Sequence, residues 1–109
     1  MIGYAEKINK YKAKPISELI TIKNERLIVR TAGLVSKIRK IFTKNGQPMI
    51  FATIEDLEQK SLEVVVFTSV LEKTSAVWSE NNVVIIEGRI SVRDGQAKMI
   101  CDNAKKLEA

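Results

Sequence analysis

Residues 36–51 read SKIRKIFTKNGQPMIF, with Lys37, Arg39, Lys40 and Lys44 and no acidic residue. Ammonium and guanidinium groups at such spacing can hold successive phosphates, because each cation that meets a phosphate releases a condensed counterion. The acid-free run is longer than this segment. Residues 26–54 hold six cations and no acid, so they carry +6 of a net charge of +5 and the rest of the 109-residue chain sums to −1. The plainer reading of such a run is a solvated face.

Other chemistry is poorly supplied. The chain has no histidine and a single cysteine, Cys101, which removes a Ser-His-Asp triad, a Cys-His pair, the usual zinc spacings and an intramolecular disulfide. Catalysis by this chain alone is not expected, nor is a cofactor. Glu55 and Asp56 point to opposite faces of a regular strand. Asp56 and Glu58 could converge on magnesium, but an Asp leaving a strand more often accepts from backbone N–H groups of the next turn, so no metal site is expected. No apolar run approaches the roughly 20 residues of a membrane span, and the first thirty residues lack the apolar run of a signal peptide. A soluble, cytoplasmic, monomeric domain without a membrane partner is expected.

The elements that must position these groups follow from periodicity. With 45% apolar residues the chain can close one core and bury roughly two thirds of its unfolded surface. Residues 4–14 read as an amphipathic helix through Tyr4, Ile8 and Tyr11, ended by Pro15. PISELI then gives a further helical turn, with Ser17 a candidate cap. From Arg26 the pattern becomes β. RLIVRTAGLVSKIRKIFT is one long strand, with a bulge or sharp coil expected at Gly33. Asn45-Gly46 predicts a type I′ hairpin into PMIFATIED. SLEVVVF is a third strand, TSVLEKTSAVWSE a short helix, and NNVVIIEGRISVR with QAKMICDNA a final hairpin turned at Asp94-Gly95. Trp78 and Cys101 are expected to be buried.

Five antiparallel strands with a helix between the third and fourth is the order of the all-β OB-fold barrel. The expected division is a helical leader over 1–24, the barrel over 25–104 and a tail over 105–109. Ligands of this fold lie across strands two and three, beside Lys37, Arg39, Lys40 and Lys44. If Ile50, Ala52 and Ile54 face the core, Phe51 and Thr53 look outward. Phe51 is then a platform on which a base could stack; otherwise it is core. Arg89, Arg93 and Lys98 around the last hairpin could close the other side of a groove, or form an ordinary solvated hairpin. Phe67 is expected in the core or at the barrel rim.

The runs VRTAGLVSKIRKIFTKNGQPMIFATIEDLEQKSLEVVVF and NNVVIIEGRISVRDGQAKMICD resemble the OB domain of the bacterial DNA polymerase III alpha subunit, from about Val29 to Asp102. YAEKINKYKAKPISEL resembles the segment that joins that domain to the rest of the polymerase. The wider pattern, F-x-T-x-E-D, E-V-V-V-F and V-x-x-E-G-R, also resembles the anticodon-binding domains of class II aminoacyl-tRNA synthetases. In those relatives a Phe five residues before the strand-ending Asp stacks on a base, a spacing met here by Phe51 and Asp56. The resemblance implies a noncatalytic module that binds single-stranded DNA as template near a polymerase site. Its partners would be the other domains of that polymerase and replisome subunits. Nucleotidyl transfer would belong to the parent chain, whose palm carboxylates are not in these residues. A protein-docking module, or a reader of RNA or tRNA, is the alternative.

Overall fold

The computed structural model describes residues 13–22, 26–93 and 95–107. The helix expected over 4–14 lies outside them except for Ala13 and Lys14, which are not helical. The elements are α1 (Ile16–Leu19), β1 (Ile28–Phe42), β2 (Pro48–Glu55), β3 (Ser61–Val66), α2 (Thr68–Thr74) with a 3-10 turn over Ser75–Val77, β4 (Val83–Arg93) and β5 (Gln96–Lys106). The strands close in the order β1-β2-β3-β5-β4. This is the expected five-stranded OB barrel with its helix between the third and fourth strands.

One expectation is corrected. The strands are not all antiparallel, because β3 and β5 pair in parallel at Val64↔Met99 and Val65↔Ile100. The reason is topological: directions cannot alternate around a closed ring with an odd number of strands, so one seam must be parallel.

The long β1 serves two neighbours. Its first half pairs with β4, from Ile28↔Arg89 to Leu34↔Val83, and its second with β2, from Leu34↔Glu55 to Phe42↔Pro48. The bulge lies between Val35 and Lys37 rather than at Gly33. Gly33 meets a different demand. A Cβ there would come within 2.6 Å of the Glu55 carbonyl oxygen, so only glycine lets β2 approach where β1 changes partner. The β1–β2 turn is also not type I′. Gly46 has φ +75° while Asn45 has no positive φ, and Gly46 N–H donates to the Thr43 carbonyl at 2.9 Å. This is a three-residue loop ending in a left-handed glycine, the commonest alternative when the strands carry an extra residue.

Buried Val29, Val35, Ile50, Ala52, Ile54, Leu62, Val64, Val66, Val84, Ile86, Ile90 and Met99 fill the barrel. Trp78 and Cys101 are buried with them, and Trp78 Nε1–H donates to Thr74 Oγ1 at 2.9 Å. Of the two places expected for Phe67, the core is excluded: it stands 47% exposed at the start of α2, just past the end of β3.

Ile16 and Leu19 of α1 belong to this same core. Ser17 does not cap α1, whose N-cap is Pro15 without a side-chain bond. The cap comes from far along the chain: the Ile16 N–H donates to Asp56 Oδ2 at 2.8 Å, while Oδ1 accepts from Glu58 N–H and Lys60 N–H at 3.0 Å each. Asp56 thus ties the β2–β3 turn to α1 through three backbone donors. Lys14 N–H donates to the Arg30 carbonyl, and Thr31 Oγ1–H to the Lys14 carbonyl, both at 2.7 Å. At the other end β5 runs beyond residue 104, and Leu107 is buried with its N–H on the Val83 carbonyl at 2.8 Å.

Burial makes Cys101 inert. Burial and then the adjacent Asp102 carboxylate push its thiol from an ordinary 9.0 up to about 12. Thiol reagents at pH 8 are expected to leave Cys101 untouched in the native protein and to label it once urea unfolds the chain. Between pH 9 and 12 the unfolded thiol loses its proton and the folded one keeps it, so stability should fall as pH rises through that window. Cys101→Ala should remove that part of the pH dependence, measured by urea midpoints at pH 8 and 10.

Candidate nucleic-acid interface

Side chains alternate along a strand, so parity decides which groups meet. In the first half of β1, Val29, Thr31 and Val35 are buried. An unbroken strand would therefore send Lys37 and Arg39 inward as well. The extra residue between Val35 and Lys37 reverses the parity. Ile38 then packs on the core, while Lys37 and Arg39 are exposed.

Outside the barrel these cations meet β2 and β3. Lys37 lies opposite Thr53 and Arg39 opposite Phe51, and on the next strand Thr53 faces Glu63 and Phe51 faces Val65. Phe51 is half-buried and belongs to neither buried cluster. The Arg39 guanidinium carbon sits 4.8 Å from its ring centroid, and the Lys98 ammonium, arriving from β5, sits 5.9 Å from it. Both distances lie within cation–π range. Lys37, Arg39, Phe51, Thr53 and Glu63 line an open hollow of about 190 Å³. Larger hollows lie beside Arg30 and Glu87, about 320 Å³, and between Ile20 and Gln96, about 370 Å³. Neither has an aromatic ring in its lining, so neither offers a base a stacking face.

The nine residues singled out in the sequence thus divide. Lys37, Arg39, Phe51, Thr53 and Lys98 converge on one face. Lys40 does not, because it pairs with Ile50 on the opposite parity and its ammonium lies 5.5 Å from the Phe42 centroid. Lys44 is exposed in the β1–β2 turn. Arg89 lies further round the barrel, opposite Ile28 and Ile100, and is paired to Asp102 at 3.3 Å. Arg93 ends β4 beside the last turn. The charge of the acid-free run is also partly cancelled across strands, since Arg30 pairs with Glu87 at 2.8 Å. Lys37, Arg39, Lys40 and Lys44 make no ion pair among the described residues.

Sequence reasoning missed Glu63. It stands opposite Thr53 on the hollow's wall, paired to Lys98 at 3.3 Å. The signal was available in SLEVVV, where burial of Leu62, Val64 and Val66 sends Glu63 outward with Val65, toward Thr53 and Phe51.

Comparison with known proteins agrees with this architecture. Residues 29–107 match the family model described as an OB-fold nucleic acid binding domain. The chain is 31% identical over 100 residues to the DNA polymerase III subunit alpha of Saccharopolyspora erythraea, covering 90% of this chain and 8% of that one. With the Bacillus subtilis subunit it shares 37% over 75 residues, covering 69% of this chain and 7% of the other. The chain therefore spans less than a tenth of the length of these relatives. In three dimensions it resembles a mitochondrial single-stranded DNA binding protein from S. cerevisiae, with a TM-score of 0.60 at 10% identity over 75% of this chain and 94% of that one. That likeness is one of fold. The family match covers the whole barrel and its outward β2–β3 face: the chain belongs to the OB-fold nucleic acid binding domain family.

Proposed function

We propose that this chain is a noncatalytic module that binds single-stranded DNA with little sequence preference, as a template-holding part of a cytoplasmic replicative polymerase. The observation that carries this reading is the cation-flanked Phe51 ring on the outward face of β2 and β3. A base stacked on Phe51 would have Lys37, Arg39 and Lys98 around it for the phosphates on either side, and stacking tolerates any base because each has a π-face. The similarity to polymerase III alpha subunits supports DNA as the ligand and other polymerase domains and replisome subunits as neighbours. Among the described residues no helix is long and apolar enough to cross a membrane.

Fluorescence anisotropy with a labelled strand of about 15 nucleotides tests the reading. Three neutralised phosphates give log K against log[salt] a slope of about −2, at about −0.7 for each contact. Lys37→Ala with Arg39→Ala should weaken binding and bring that slope to about −0.7. Lys40→Ala, on the opposite parity, should leave both affinity and slope nearly unchanged. No binding at low salt would favour a protein-docking module instead. Tighter binding of RNA of the same sequence would favour an RNA reader, because only contacts to the 2′-OH separate the two.

A further inference from the structure

A carboxylate on a face that receives phosphates repels its own ligand, so Glu63 calls for an explanation. It lies on the same outward face as Phe51, one register step along: Phe51 faces Val65, and Glu63 faces Thr53. Such diagonal neighbours are roughly 7 to 8 Å apart, within reach of long side chains. Lys98 neutralises part of its charge through Oε1 at 3.3 Å, and Oε2 has no partner among the described residues. Both side chains keep about a third of their surface exposed, so the carboxylate is accessible from the hollow that Phe51 also lines.

We propose, building on the single-strand binding reading above, that this hollow is a nucleobase subsite in which Glu63 reads the Watson–Crick edge of the base stacked on Phe51 and favours guanine. Unpaired bases are read on that edge once they are stacked on an aromatic ring. Guanine presents two adjacent donors there, N1–H and N2–H, which match the two oxygens of a carboxylate. Cytosine and adenine each present one amino donor beside an acceptor nitrogen, and thymine presents one N–H between two carbonyls. Each of these sets an acceptor against the carboxylate. Arg39, whose guanidinium lies 4.8 Å from the Phe51 centroid, would lift off the ring as the base enters, which frees it for the adjoining phosphate. The result is a weak preference at one position on a module otherwise indifferent to sequence.

The test compares thymidine strands of about nine nucleotides that carry one central guanine, hypoxanthine, adenine, cytosine or thymine. A single guanine cannot form a quadruplex. The full chain should bind the guanine strand about fivefold or more tighter than the all-thymine strand, the lower end of the range for a bidentate contact. Hypoxanthine, which lacks the N2 amino group, should fall between them. Glu63→Gln should bring the guanine-to-thymine ratio toward one, while binding of the thymine strand holds or tightens as a repulsive charge is lost. Equal binding of all five strands by the wild type overturns this inference and leaves the single-strand reading intact. So does a Glu63→Gln variant that binds every strand more tightly with the ratio preserved, since that is a purely electrostatic role. Failure of every strand to bind overturns both readings together.

Discussion

Single-stranded DNA affinity is expected to fall about 5- to 150-fold when Phe51 is replaced by alanine, the equivalent of about 1 to 3 kcal/mol for one stacked base. The loss should be the same for strands of mixed thymine, cytosine and adenine, because the ring contributes a π-face and no hydrogen bonds. It should also leave the salt slope close to that of the wild type, since no phosphate contact is removed. Phe51→Trp should retain most of the affinity. Phe42→Ala is the matched control: Phe42 is 65% exposed, but it pairs with Pro48 at the end of β1 on the parity opposite to Phe51, away from the hollow. Its loss should change affinity by no more than about 2.5-fold, the equivalent of the ±0.5 kcal/mol typical of surface substitutions. Equal losses from Phe42→Ala and Phe51→Ala would mean that general surface hydrophobicity, not a positioned platform, holds the strand.

The sequence leaves Phe51 two readings, outward or core, and the alternation of Ile50, Ala52 and Ile54 supports the outward one that the strand adopts. The cations were only partly legible. Lys37, Arg39 and Lys40 look equivalent in a linear charge run, yet a strand separates neighbours by half a turn, and the bulge between Val35 and Lys37 decides which of them go outward. Gly33 reads as the bend because it breaks the β-branched pattern. Its role is close approach to the Glu55 backbone, a contact between residues 22 positions apart that no local pattern encodes. The sequence places Lys98 only beside the last hairpin, whereas what brings it over Phe51 is the parallel β3–β5 seam, a long-range closure. The type of the Asn45-Gly46 turn escapes the sequence for a related reason. The same dipeptide serves a two-residue and a three-residue loop, and only the register of β1 against β2 chooses between them.

The short helix α1 supplies the second large effect. Leu19→Ala is expected to destabilise the protein by about 2 to 5 kcal/mol, read as a lower urea midpoint through Trp78 fluorescence. Leu19 is 0% exposed and Ile16 1% exposed within the barrel core, so the change opens a cavity in the interior. A helix of four residues has almost no stability of its own. Its order must come from these two side chains and from the Asp56 carboxylate on the Ile16 N–H. Ile20→Ala, at a side chain 50% exposed on the same turn, should cost less than about 0.5 kcal/mol. The contrast separates burial from helix propensity, because neither substitution lowers helix propensity. It also bears on where the folding unit begins. A boundary at residue 25 removes Ile16 and Leu19 from the barrel and leaves Asp56 without the donor it caps, so a chain starting there should lose at least as much stability as Leu19→Ala. A loss below about 1 kcal/mol from Leu19→Ala would instead mark α1 as an appended turn, and the barrel from residue 25 onward would then stand alone.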